Sequence, residues 1–302
     1  MVADNRTELR RDRARVERAP RHRGASSTET FSKSFVALGE LAFRGADVSA
    51  SVNELRTGLS LVAIDDRIVL PTASVGKVLL LIEVAARLAE GGASELDIID
   101  KSSVASVSDS GLWQYLQAPS LPLADLAALV GSASDNLATN VLLQHVGLDA
   151  VRVRTESLGI MKTALLDIVR DERGPDNAPQ LSVGSTAELA WLLGALARGQ
   201  IVSTLVSQRV LDWLSLGTDL SLVASAFGLD PLAHRAPDHG IQAINKTGTD
   251  IGVRSEAGVL FGPRTAVAYA VTVQFSDDSL QGRLHVLDAM RTVGHDLLEY
   301  VH

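Results

Sequence analysis

The apolar positions of this chain change period twice, and the changes divide it into blocks. Over residues 28–45, Phe31, Phe35, Leu38, Leu41 and Ala42 recur at helical spacing on one face, with Ser27 or Thr28 placed to cap it. Residues 48–55 and 59–70 alternate instead, and Arg56-Thr57-Gly58 between them predicts an antiparallel hairpin. From 78 to about 225 the helical period returns. Its first piece, 78–89, is apolar on every side, the mark of a buried helix, and closes at Gly91-Gly92. Further helices are predicted over 122–130, 135–146, 148–158, 186–198 and 203–216, punctuated by glycines at 131, 147, 159, 199 and 217. Residues 167–185, with Pro175 and Pro179, break the period and read as a long ordered loop. Strands are predicted again at 242–246, 253–261 and 264–275, with a tight turn at Gly262-Pro263 and a closing amphipathic helix over 279–301.

This block order predicts an α/β (α+β) fold, an antiparallel sheet flanked by helices with an all-helical lobe inserted into it. Both ends of the chain, 28–73 and 228–302, build the sheet part, and 74–227 the lobe. Residues 1–27 carry eight arginines and read as a disordered basic tail. No apolar h-region follows them, so no export signal is readable, and a cytoplasmic location is expected unless a leader is missing.

Composition narrows the chemistry. The 302 residues are 46% hydrophobic and 21% charged, ordinary for a globular chain with a sizeable core. The absence of cysteine excludes disulfides, thiolate metal sites and cysteine nucleophiles. The seven histidines stand in no ligand spacing, so neither metal nor cofactor is expected. A net charge of −8 argues against nucleic acid as a partner, and no apolar run is long enough to span a membrane. The pattern leaves the oligomeric state open.

Candidate chemistry gathers at Pro71-Thr72-Ala73-Ser74-Val75-Gly76-Lys77, where the hairpin run ends and the most apolar helix begins. Residues three apart share a helix face, so the Ser74 hydroxyl and the Lys77 amine can meet, and a lysine of lowered pKa can take a serine proton. The same residues also read as an N-cap serine followed by a solvated lysine. Ser134-Asp135-Asn136 precedes a helix, where Ser134 or Asp135 would serve as a cap. Lys246-Thr247-Gly248 stands at the end of a predicted strand, where it also reads as a plain turn.

In this order, Ser74-x-x-Lys77, Ser134-Asp135-Asn136 and Lys246-Thr247-Gly248 resemble the motif set of class A β-lactamases and penicillin-binding proteins. The similarity covers about residues 28–302, and Ser134-Asp135-Asn136-Leu137-Ala138-Thr139-Asn140-Val141-Leu142-Leu143 looks like the family's helix after Ser-Asp-Asn. The resemblance implies a β-lactamase-like fold and a serine hydrolase associated with antibiotic resistance. It would form an acyl-enzyme on Ser74 with a β-lactam or a related cyclic amide or ester. By the same resemblance Lys77 is the neighbouring base, and Ser134 relays a proton to the departing nitrogen. Asn136 holds the substrate amide and helps position Lys77. Lys246 and Thr247 bind a substrate carboxylate, Gly248 completes that motif, and the backbone N–H of Thr249 joins that of Ser74 in the oxyanion hole. The chemistry asks for these residue types independently: acyl transfer needs a nucleophile, a base, oxyanion donors and a proton for the leaving group. Two lysines in one dry cleft also repel, which favours a neutral Lys77.

The resemblance fails in the long loop. The family's deacylating glutamate position falls on Arg170 if Leu166-Asp167 is aligned with the family's similar pair. Glu172 with Asp176 is the nearest substitute and needs a two-residue insertion; by composition alone Glu172 reads as a solvated loop carboxylate. The arginine that the family often carries beyond Lys-Thr-Gly has an approximate match in Arg254, while Trp113 and Tyr115 read as cleft-mouth residues or as packing. Slow deacylation is therefore expected. The alternative is a catalytically reduced relative acting as an esterase, or as a binding or biosynthetic helper.

Overall fold

The computed structural model describes residues 30–277 and 279–302; the basic tail and the expected caps Ser27 and Thr28 lie outside the described residues. The described residues begin with α1 (Ser32–Phe43), followed by β1 (Asp47–Glu54) and β2 (Ser60–Ile64), which pair antiparallel as the Arg56–Gly58 turn predicts. Its end supplies β8 (Gln242–Asp250), β9 (Val253–Phe261), β10 (Ala266–Gln274) and α8 (Leu280–Val301). These strands form one antiparallel sheet in the order β2-β1-β10-β9-β8, with β8 at an edge. α8 begins at Ser279, whose side chain accepts from the Gly282 N–H.

Both faces of the sheet are covered. On one, Val267, Tyr269, Val271 and Val273 of β10 pack against Phe31, which caps α1, Leu38 and Leu41 of α1, and Val286, Met290, Val293 and Leu297 of α8. On the other, Ala268 and Ala270 join the core of the helical part. That part holds α2 (Lys77–Glu90), α3 (Leu123–Ala133), α4 (Asn136–Val146), α5 (Leu148–Ser157), α6 (Thr186–Ala197) and α7 (Thr204–Leu214). α2 is its centre: residues 77–86 are all buried, as an all-round apolar helix requires. Each large aliphatic side chain fully buried there contributes about 1.5–3 kcal/mol.

Several expectations are corrected. The run 59–70 is not one strand: Asp65 turns with φ +40°, and the chain leaves the sheet after Ile64. Leu70–Pro71 then becomes β3 of a separate sheet, beside β7 (Ser182–Gly184) and β6 (Ala164–Leu165). Two further short strands, β4 (Ile98–Asp100) and β5 (Ser120–Pro122), lie within the stretch read as helical. Gly131 does not end a helix. It lies inside α3, where an added Cβ would stand 2.4 Å from the Trp213 carbonyl, so its absence lets α3 approach α7. On α1 the buried face is Phe31, Ser34, Leu38 and Leu41, while Phe35 and Ala42 are exposed. Ser34 is buried because its N–H and hydroxyl both donate to Asp296 of α8, at 2.9 and 2.7 Å. The helix expected inside the lobe at 186–198 lies against the sheet, on β1, β9 and β10.

Candidate active site

Ser74 sits in a 3-10 turn, Ala73–Gly76, that runs directly into α2. The turn is latched to β7. Thr72 N–H donates to the Ser182 carbonyl at 3.1 Å, and Ser182 Oγ donates to Ala73 O at 2.6 Å. With the Ser182 proton so committed, the 2.7 Å contact between the hydroxyls of Thr72 and Ser182 has Thr72 as donor. This latch holds Ala73 at φ +46°, a left-handed conformation that costs an alanine of order 1–3 kcal/mol. Strain of this kind directly before a serine hydroxyl is where a site would keep it.

Lys77 is completely buried. Its Nζ donates to Ser134 O at 2.6 Å, Asn136 Oδ1 at 2.7 Å and Ser134 Oγ at 3.2 Å. All these acceptors come from the Ser-Asp-Asn segment, so that segment, rather than the expected Ser74–Lys77 pairing, holds the amine. Ser134 ends α3 at φ +54°, a kink that points both its carbonyl and its hydroxyl at Lys77. Asn136 is fixed from its other end, since its Nδ2 donates to Ser108 O at 2.9 Å. Asp135 is the cap that the sequence allowed: its carboxylate accepts from Ala138 N at 2.9 Å, and also from Leu112 N and Trp113 N.

Lys246, on edge strand β8, donates from Nζ to Ser134 Oγ at 3.0 Å and to Thr247 O at 2.8 Å. One hydroxyl, Ser134 Oγ, thus lies between the two amines. Burial is the main reason that Lys77 is held well below the ordinary lysine value; the charge of Lys246 adds to it and Asp135 opposes it. Burial also brings Lys246 down to about 8, with Asp219 and Glu256 pulling the other way. Burial thus holds both amines below the ordinary lysine value. The Lys-Thr-Gly motif does not end its strand as expected. β8 continues to Asp250, with Lys246 opposite Ala257 and Thr247 opposite Glu256. Gly248 serves close approach: a Cβ there would lie 2.1 Å from Thr72 O and 3.0 Å from Ser74 N.

A cavity of ≈ 110 Å³ collects Ser74, Ser134, Lys246, Thr247 and Thr249 with Ser110, Thr218, Asp219 and Asn245. Only the reacting part of a drug-sized molecule fits inside so small a space. Asp219 and its neighbours went unseen in the sequence. Nothing in their local pattern marks them, since they follow α7 and reach the site only through the fold.

The loop after β6 is well fixed, but it brings no carboxylate to this cavity. Asn140 of α4 grips the backbone of Val169 from both sides, Nδ2 donating to its carbonyl at 2.8 Å and Oδ1 accepting its N–H at 2.8 Å. Arg170, where the glutamate was expected, pairs with Asp167 at 2.8 Å, and Arg173 joins them. Glu172 is exposed and does not line the cavity. Arg254 does not line the cavity; its Nη1 donates to Asp250 O and Val253 O, and its guanidinium lies over the Phe275 ring. Trp113 is fully buried packing, and Tyr115 is exposed.

Residues 31–301 match the family model of the beta-lactamase enzyme family. The chain belongs to that family. Among solved structures, this beta-lactamase-family protein is similar to a beta-lactamase from Sphaerobacter thermophilus, with TM-score 0.77 and 23% identity over 90% of this chain and 97% of that one. An acyl-enzyme complex of PBP-A, L158E mutant, with penicillin-G gives TM-score 0.74 and 20% identity over 89% and 96%. A beta lactamase from Xanthomonas campestris pv. campestris gives TM-score 0.74 and 15% identity over 90% and 99%. At these identities the likeness shows a shared fold, the β-lactamase-like one expected from the motifs. No curated protein sequence matches significantly. Among the described residues, no helix is long and apolar enough to cross a membrane.

Proposed function

We propose that this protein is a serine hydrolase that forms an acyl-enzyme on Ser74 with an amide or ester of β-lactam type and releases it slowly. Membership of the family supports a hydrolase acting on a small molecule of that type. The observation that carries the mechanism is the single hydroxyl of Ser134 between the Lys77 and Lys246 amines.

In the first half-reaction Ser74 Oγ bonds to the substrate carbonyl carbon, and its proton passes to the lone pair of Lys77, whose neutral amine has only two N–H protons and gives them to the nearer acceptors, Ser134 O and Asn136 Oδ1. The tetrahedral oxyanion lies against the N–H groups of Ser74 and Thr249. Ser134 Oγ then gives its proton to the departing nitrogen or oxygen as the bond from that atom to carbon breaks, and Ser134 is re-protonated from Lys77. Lys246 keeps positive charge beside this hydroxyl and so favours proton donation from it. In the second half-reaction water adds to the acyl carbon, the bond to Ser74 breaks, and one water proton returns to Ser74.

That second step needs a base for water. The loop supports none: Val169 is the residue gripped by Asn140, Arg170 pairs with Asp167, and Glu172 is exposed. Loss of one general base costs about 10²–10⁴ in rate. With a chromogenic β-lactam the expected course is a burst of one equivalent, a mass adduct on Ser74 and slow turnover. Ser74→Ala should show neither burst nor adduct. Undiminished labelling of that variant, or fast linear turnover without a burst, overturns the reading. Absence of any adduct on the wild-type protein would favour the binding or biosynthetic helper.

A further inference from the structure

We propose that Asp219 sets the charge of the substrate: this site prefers an acyl donor that is uncharged at the end beside Lys246 and Thr247, and disfavours one with a carboxylate there. This rests on the acyl-enzyme reading above. The Lys246 ammonium and the Thr247 hydroxyl would together make an anion receptor, but the chain already places an anion on them. Thr247 Oγ1 donates to Asp219 Oδ2 at 2.7 Å, and a hydroxyl has one proton to give. Asp219 Oδ1 accepts from Ser221 N at 3.0 Å.

The segment is anchored as well. Asn245, the residue before Lys246, donates through Nδ2 to Asp219 O at 3.3 Å and to Glu256 Oε1 at 2.9 Å. Glu256 in turn holds Val223 N at 2.7 Å and Tyr269 Oη at 2.6 Å, so the strand that carries Lys246 also fixes the approach of Asp219. Asp219 is the only carboxylate among the described residues that line the cavity. Burial works to raise its pKa, but hydrogen bonds from Ser221 and Thr247 and the charge of Lys246 keep it below the ordinary aspartate value.

An incoming carboxylate therefore finds the Thr247 proton spent and the Lys246 charge matched by a second anion. It must displace Asp219 or lie beside it. Arg254 does not line the cavity, and its Nη1 is spent on the carbonyls of Asp250 and Val253. A neutral group with an N–H or O–H gains an acceptor in Asp219 instead. Asp219 lines the cavity, which desolvates it in part, but stays partly open to solvent, which screens the repulsion. One lost hydrogen bond plus a screened like charge is worth roughly tenfold in rate.

The test compares a chromogenic cephalosporin with its own methyl ester, which differ only in this charge. Acylation rates of Ser74 are measured for both in the wild-type protein, Asp219→Asn and Asp219→Ala. The expected result is that the acid gains about tenfold on the ester when Asp219 is replaced. Thermal melts establish folding. If the alanine variant fails to fold, the asparagine variant, which keeps an acceptor for Thr247, carries the comparison. An acid-to-ester ratio unchanged or lowered by Asp219→Asn overturns the charge preference alone. Labelling of Ser74 by neither compound overturns the acyl-enzyme reading and this inference together.

Discussion

Gly248→Ala tests how closely β8 must lie against the turn that carries Ser74. The added Cβ would stand 2.1 Å from Thr72 O, 3.0 Å from Ser74 N and 3.1 Å from Val75 N. An ordinary contact begins near 3.4 Å, so strand and turn must separate by about 1 Å. Neither side gives easily. β8 is paired with β9 along its length, and the turn is latched by Ser182. Overpacking of this kind costs about 1–3 kcal/mol, or roughly 2–4 °C of melting temperature per kcal/mol. The larger effect falls on chemistry, because moving Ser74 by about 1 Å relative to Lys246 and Thr249 costs about 10²-fold in acylation. The assay is the second-order rate of Ser74 labelling by an activated ester, followed by intact mass, with a thermal melt on the same sample. Gly39→Ala is the control: nothing lies within 4 Å of its Cβ on α1, and it should keep the rate and gain about 0.5–1 kcal/mol. Wild-type labelling by a Gly248→Ala protein with an unchanged melt would refute the close-approach argument.

Three further outcomes are expected. Lys246 is held near 8, so between pH 8 and 10.5 the unfolded chain binds a proton that the folded site has released, and stability rises with pH there. That gap is worth ~3 kcal/mol, so the wild-type protein should gain on Lys246→Met by about this much from pH 8 to 10.5 in urea melts; a flat difference would contradict it. Asp135→Ala leaves the N–H groups of Ala138, Leu112 and Trp113 without their acceptor and should cost about 3–5 kcal/mol, read as a lower denaturant midpoint. Glu172→Gln should leave the slow phase of β-lactam turnover unchanged, because this side chain is exposed and away from the cavity; a large drop in steady-state rate with the burst retained would make Glu172 the water base.

What the sequence revealed and what it concealed divide by range. α2, α4, α5 and α8 were legible because burial of one face, or of every face, leaves a period in neighbouring residues. The lysines and Ser134 were legible because their motifs are local. Asp219 was not, since its role depends on Thr247 reaching it across the fold. Neither was the Asn140 grip on Val169, which joins a helix to a loop. Glycine misled twice in the same way. Gly131 and Gly248 look like breaks, yet each stands inside an element where another backbone comes close. Ser34 left no signal, being a polar residue buried because Asp296 satisfies it from the far end of the chain.

The latch on Ser74 also dictates when the site can exist during folding. The turn that carries Ser74 is held by Ser182, 110 positions beyond Thr72, and abuts Gly248 on a strand contributed later still. That strand is the edge of a sheet whose other members include β1, from the start of the chain, and Ser34 near that start is tied to Asp296, 262 positions away. Such long closures are slow to form, and a chain still being synthesised cannot make them. A nascent or truncated chain therefore carries Ser74 and Lys77 in sequence but not in register, and the arrangement around them is complete only when the last strands add to the sheet.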